Sequence, residues 1–351
     1  MRNHYTFIIT AFILMLVQNT NAQPVEIVTG LDAPSRIDIS GNELYFVQEG
    51  RISKIDITLG TPPVTDVITG LNEPNGFGLI FNGNDLYISQ TLDGKISKID
   101  ITDPTPILED ILTGLSFPNK FVLNGNELYF SQTTAGKISK IDITDPTPIL
   151  EDVITGLDQP NGMVLNGNDL YIAEWTGNKI SKIDISQTTP TAIEVITGLS
   201  RPVALALDNN ELFIAEGMGN KISKINITDV TPNLVDVLTG LNEPIDLIFF
   251  GNDLFFSERA GNKISKLENA TLSTIDYSSN FKIRLYPNPS KTNIQVSGLI
   301  NSQNYKIYGA NGIEILNGTL SNNKKINIEN LANGFYLLAL ENGNTIKFIK
   351  V

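Results

Sequence analysis

Residues 157–198 read LDQPNGMVLNGNDLYIAEWTGNKISKIDISQTTPTAIEVITG. Four short runs rich in Ile, Val, Leu and Tyr, at 162–165, 169–173, 179–185 and 193–197, are separated by turn residues, which reads as four strands rather than helices. Asn166-Gly167 joins the first two, a dipeptide that tolerates the positive φ of a tight hairpin. The same unit recurs along the chain. Thr-Gly-Leu stands at Thr29, Thr69, Thr113, Thr155, Thr197 and Thr239, each time with a Pro three residues past the Leu. A second marker, Lys or Arg followed by Ile-Ser-Lys, keeps step at Arg51, Lys95, Lys137, Lys179, Lys221 and Lys263. Six copies of a four-stranded antiparallel unit at this period predict an all-β, six-bladed β-propeller over residues 23–268.

The last copy, from Ile245 to Leu267, has three strands and lacks the fourth. Val25-Glu26-Ile27-Val28-Thr29, near the start of the chain, matches the missing piece, so an N-terminal outer strand is expected to close the ring and cover an open sheet edge. Before it, residues 1–22 have Arg2, an apolar run from Phe7 to Val17 and a small-residue end at Ala22, the pattern of a cleaved signal peptide. No later stretch is long and apolar enough to serve as a transmembrane anchor. After the repeats come a polar linker, 269–284, and a tail, 285–351, with alternating runs at 305–308, 313–316, 326–328, 335–340 and 345–351, which predict a small C-terminal β-sandwich.

Composition narrows the chemistry. Past residue 22, 24 Lys and Arg face 38 Asp and Glu, so clustered cations for a nucleic-acid partner are missing. There is no Cys, and the single His, His4, lies in the leader. No phosphate loop, Ser-His-Asp set or zinc-spaced cluster is present.

The tail carries Leu285-Tyr286-Pro287-Asn288-Pro289, then Asn333-Gly334-Phe335-Tyr336-Leu337, then the basic end Lys347-Phe348-Ile349-Lys350-Val351. In that order these steps resemble the C-terminal sorting domain of the type IX secretion system of Bacteroidota. The resemblance implies handling by that machinery and an extracellular or outer-membrane surface location. The repeats, as in Leu170-Tyr171-Ile172-Ala173-Glu174 through Lys179-Ile180-Ser181-Lys182-Ile183, resemble NHL repeats and virginiamycin B lyases, and Pro74-Asn75-Gly76 and Pro160-Asn161-Gly162 resemble the gluconolactonase and regucalcin group. The lyase resemblance implies catalytic histidines and a metal, yet His4 is the only histidine. The lactonase resemblance implies a Glu metal ligand on the first inner strand, where this chain has Pro34-Ser35-Arg36-Ile37.

Strand alternation puts two sets of loops on one face: those entering each innermost strand and those between second and third strands. These loops differ among the copies, while the opposite face is uniform. A ligand site is therefore expected on the variable face. Its candidates are Arg36, Asn75, Lys120, Asn161 and Asp246 around the tunnel mouth, as solvated rim residues or ligand contacts, with Trp175 and Arg259 in the loops. Trp175 suits either a stacked ligand or the neighbouring blade, and Arg259 offers a fork for a carboxylate or sulfate. A second ring is Gln48, Gln90, Gln132, Glu174, Glu216 and Glu258. Its acids, with Asp246, could hold Ca²⁺ or Mg²⁺, or each member could cap its own turn. Two functions follow: a non-enzymatic, monomeric recognition propeller for an extracellular glycan, peptide or protein, needing no cofactor, and a metal-assisted hydrolase or lactonase at the tunnel mouth.

Overall fold

The computed structural model describes residues 23–72, 78–270, 284–297, 299, 302–309, 312–321, 324–340 and 345–351. The leader and Asn75 lie outside the described residues. Every helix or strand described is a strand, and the chain divides into two compact units, Met1–Leu272 and Ser273–Val351.

The first unit contains six four-stranded sheets. Residues 157–198 form the strands Pro160–Asn166, Asp169–Glu174, Lys179–Asp184 and Ile193–Thr197. The second of these is buried from Leu170 to Glu174, both faces at once, which is why Leu-Tyr-Ile-Ala runs apolar instead of alternating. The fourth is largely exposed and alternates weakly. Sheets with a buried second strand and an exposed fourth stand face to face, inner edges together. The innermost strand Ile37–Ser40 lies beside both Leu79–Asn82 and Pro244–Phe250, the innermost strands of the second and sixth sheets.

The sixth sheet takes its outer strand from the N-terminus. Val25–Thr29 pairs antiparallel with Lys263–Leu267, Val25 opposite Lys266 and Thr29 opposite Lys263. Each Thr-Gly-Leu marker now has a cause. The Gly takes positive φ, 73° at Gly30 and 82° at Gly156, and the Leu N–H that follows extends the sheet by donating to the loop between second and third strands. Leu31 donates to the Asn262 carbonyl at 3.0 Å and Leu157 to that of Gly136 at 2.9 Å. The Lys of each Lys-x-Asp step pairs with the acid that begins the second strand, as in Lys98–Asp85 at 3.1 Å and Lys182–Asp169 at 2.7 Å. The Asp instead closes a turn, Asp100 accepting from the Thr102 N–H at 2.8 Å.

In the second unit the strands Arg284–Tyr286, Asn293–Ser297 and Lys325–Asn327 form one sheet, and Glu314–Leu320, Gln303–Gly309, Gly334–Leu340 and Thr345–Lys350 form another. Ile294, Val296 and Ile326 from the first share one buried cluster with Ile307, Leu338 and Phe348 from the second. Phe348 stacks on Tyr336 at 5.4 Å between ring centres.

Candidate binding face and axial charge cluster

The bonds from each Thr-Gly-Leu to the second-to-third loop put the loops that enter the innermost strands at the same end as those loops. Among the described residues, all five that precede the shared Pro adopt positive φ: Ala33, Phe117, Gln159, Arg201 and Glu243, at 46° to 59°. A left-handed residue before Pro is disfavoured, so this loop geometry is enforced by its bonds. The Gln159 carbonyl, for example, accepts from Trp175 N–H at 3.1 Å and that of Glu243 from Arg259 N–H at 3.0 Å.

At the start of the innermost strands the register sets Arg36, Gly78, Lys120, Gly162, Ala204 and Asp246 at one level. Val47 N–H bonds the Arg36 carbonyl just as Ser89 N–H bonds that of Gly78. Gly78 is thus the counterpart of Gly162. Three large charged side chains and three small residues share the ring, and the small ones let the large ones cross it.

They do cross. Arg36, from the first sheet, donates from Nη1 to the Ile245 carbonyl at 2.9 Å and the Val203 carbonyl at 3.3 Å. Its Nη2 donates to Asn119 Oδ1 at 2.9 Å and also to Asn161 Oδ1. One side chain therefore bonds the third, fourth, fifth and sixth sheets. Lys120, from the third sheet, reaches Asp246 of the sixth with Nζ at 2.8 and 2.7 Å from its two carboxylate oxygens. Asp246 Oδ1 lies 3.8 Å from Arg36 Nη1, and Oδ2 accepts the Ile37 N–H at 3.1 Å. Exposure is 3% for Arg36 and 0% for Asp246. The solvated-rim expectation for Arg36, Lys120 and Asp246 is corrected: Arg36 and Asp246 are buried and the Lys120 side chain is 12% exposed, because opposite charges on facing sheets attract across the centre.

Burial pulls the Arg36 pKa below its ordinary value, with Asp246 working against that pull. Two residues further along the same strand, Asp38 accepts from Ile39 N–H at 2.8 Å and Phe81 N–H at 3.0 Å. Burial pushes its carboxyl up to about 6 despite those bonds and the nearby Lys120 charge.

The second ring caps turns. Glu174 accepts from Asp158 N–H at 2.7 Å and from the Ser181 hydroxyl. Glu216 accepts from Ser200 N–H at 2.7 Å and Ser223 Oγ at 2.6 Å, and Glu258 from Asn242 N–H at 2.9 Å and Ser265 Oγ at 3.1 Å. Gln48 and Gln132 accept the corresponding N–H at 2.9 Å each. Because an amide nitrogen can only donate, the serine then turns its hydroxyl the other way, Ser53 to Asp66 and Ser139 to Asp152, both at 2.7 Å. The structure does not bring Glu174, Glu216, Glu258 and Asp246 together: each Glu is spent within its own sheet, and Asp246 meets two cations. Among the described residues no group of three or more His, Cys, Asp or Glu is placed to hold a metal.

Trp175 packs against the buried cluster of Val203, Ala204 and Leu247, and the Arg201 guanidinium lies 4.1 Å from its ring centre. Of its two expected uses, the neighbouring sheet has claimed the ring. The Arg259 fork is likewise filled, by Glu243, with Nε 3.1 Å from Oε2 and Nη2 on Oε1. Exposed apolar side chains on this face are Leu92, Phe117 and Met218. None of these was a sequence candidate, although each sits where the copies differ. The third-to-fourth connections at the other end also expose Ile107, Ile149 and Val230.

Residues 284–351 match the family model of the secretion system C-terminal sorting domain. No curated protein matches the chain. Among solved structures, a putative gluconolactonase is similar at 15% identity and TM-score 0.58, covering 71% of this chain and 92% of that one. A nidogen/laminin complex chain is similar at 18% identity and TM-score 0.56, covering 66% and 90%. Virginiamycin B lyase from Staphylococcus aureus follows at 18% identity and TM-score 0.53, covering 70% and 97%. At these identities the fold alone carries over. Among the described residues no helix is long and apolar enough to cross a membrane. The chain is thus an all-β protein of repeated propeller blades, and its last residues belong to the type IX C-terminal sorting domains, which mark it for secretion to the cell surface or extracellular space.

Proposed function

We propose that the chain is a secreted recognition propeller that binds an extracellular glycan, peptide or protein through its variable face, without catalysis. In this reading the N-terminal strand closes a six-bladed ring and the tail is a small β-sandwich that acts as an address. The observation that carries it is the state of Asp246. A cation-assisted lactonase or hydrolase using Ca²⁺ or Mg²⁺ would need that carboxylate, and Lys120 and Arg36 already neutralise it. Stripping both cations from a buried acid costs several kcal/mol, on the order of 3–5 for each broken pair. The variable loops, by contrast, present Phe117 and Met218 outward on a rigid scaffold, as contact surfaces do.

Binding of the full chain to glycan and peptide arrays tests the reading. Phe117→Ala and Met218→Ala should weaken the bound signal about tenfold, while Ile107→Ala, on the opposite face, should leave it unchanged. Loss only with Ile107→Ala would move the site to the other face. Ca²⁺-dependent opening of a lactone would overturn the non-catalytic reading.

A further inference from the structure

Arg36 has only donors, so it fixes the orientation of the two amides it meets. Asn119 and Asn161 must both turn Oδ1 inward to the same Nη2 nitrogen, and both must therefore turn Nδ2 away. Both residues are half-buried and stand one position nearer the variable face than Lys120 and Gly162. Their backbone carbonyls are held by Ser89 Oγ at 2.9 Å and Ser131 Oγ at 3.0 Å, so the amides sit on fixed backbone. No acceptor among the described residues takes either Nδ2. Lys120 donates two hydrogen bonds to Asp246 and has a third N–H left, with its side chain 12% exposed. Arg36 Nε is buried with no acceptor among the described residues. Gln159 Oε1, two residues before Asn161, is likewise buried without a donor among the described residues, so the groups that the mouth itself presents, at Asn119, Asn161 and Lys120, are donors. Arg36 and Lys120 face Asp246 at this level, and Asp38 stands two residues further along the strand from Arg36, within reach of the Lys120 charge.

We propose that the axial mouth, formed by Asn119, Asn161 and Lys120 over Arg36, is a binding site for the carboxylate of a small ligand. In this site the two amide donors that flank one guanidinium nitrogen would each take one oxygen of a planar carboxylate, and the remaining Lys120 N–H would add a charge-assisted bond. A neutral sugar would bring donors of its own that find no acceptor here. A bare divalent cation would meet donors, with Asp246 already held by Lys120 and Arg36. The inference rests on the variable face being the binding face, and it deepens that reading by naming the ligand's chemical group. Two sources carry the group, a sugar acid and a peptide C-terminus.

Calorimetric titration of the full chain with sodium acetate, sodium D-glucuronate and N-acetylglycine, with D-glucose as the neutral control, tests it. The expected result is saturable one-site binding of a carboxylate probe and none of D-glucose. Tighter D-glucuronate identifies a sugar acid, and tighter N-acetylglycine a peptide end. Asn119→Asp and Asn161→Asp keep the oxygen that Arg36 needs and replace the outward donor by an acceptor. Each should weaken carboxylate binding about tenfold or more with an unchanged melting temperature. Failure of all three carboxylates to bind, or equal binding in both variants, would overturn the proposal. Array binding that survives in Asn119→Asp but not in Phe117→Ala would leave the recognition reading standing and this one fallen.

Discussion

At the scale of single residues, the axial charges set the energetics. Lys120→Met leaves Asp246 with Arg36 alone, and urea unfolding should show a loss of about 3 kcal/mol, the usual cost of breaking a buried pair from one side. Asp38 acts in the opposite sense. Its folded pKa of about 6 lies above the unfolded value, so the folded state binds the proton more tightly. Its contribution is therefore favourable at low pH and is lost as pH rises from about 4 through 6. The two-unit shift corresponds to at most about 3 kcal/mol, and to less because part of the residue remains open to solvent. Asp38→Asn should consequently raise the melting temperature relative to the parent at pH 8, with the difference shrinking toward pH 4. An unchanging difference would mean that the Lys120 charge and the two backbone N–H bonds already offset the cost. Arg36, Lys120, Asn161 and Asp246 were legible as a group from their place after the repeated Pro. Their burial was not, because a single sequence does not show that Gly78, Gly162 and Ala204 leave the centre free for long side chains. Asn119 was missed as a site residue although it shares the Pro-Asn step with Asn161; only the guanidinium between them reveals the pair.

At the scale of elements, the repeat made the strands readable. In residues 157–198 all four fell within a residue or two of their observed limits, since apolar runs and Asn-Gly turns report local geometry directly. In the tail, Arg284–Tyr286 and Asn293–Ser297 were not foreseen: they are short, and polar residues interrupt them. Three Gln followed by three Glu at the ends of the second strands were expected either to hold a cation through the acids or to cap turns, and Gln48, Gln132 and the three Glu all accept the turn N–H. Glu216→Gln should therefore change stability by less than about 1 kcal/mol, whereas Glu216→Ala, which leaves the Ser200 N–H unsatisfied, should cost about 2 kcal/mol by thermal denaturation. The Pro-Asn-Gly glycine at 162 has a packing cause. A Cβ there would stand 2.6 Å from Ala204 Cα and 2.7 Å from the Val203 carbonyl oxygen, both backbone atoms of the next sheet. Gly162→Ala should lower stability by about 1–3 kcal/mol, the range for overpacking against atoms that cannot rotate away.

At the scale of the whole molecule, the N-terminal strand and the central charges link the six sheets of the first unit. The N-terminal strand completes the last sheet, and Lys120 and Asp246 tie the third sheet to the sixth across the middle. The sorting tail could be read from its motifs because a secretion machine must recognise them, while the ligand could not, because loop chemistry on a propeller is free to vary over a constant frame. Placing Lys120 and Asp246 in contact also requires that sheets far apart in sequence sit on opposite sides of one narrow axis. A double-mutant cycle of Lys120→Met and Asp246→Asn, followed by urea unfolding, measures that contact directly. A contact across the centre gives a coupling of about 2 kcal/mol or more, whereas effects that add to within about 0.5 kcal/mol would contradict the pairing of the third sheet with the sixth.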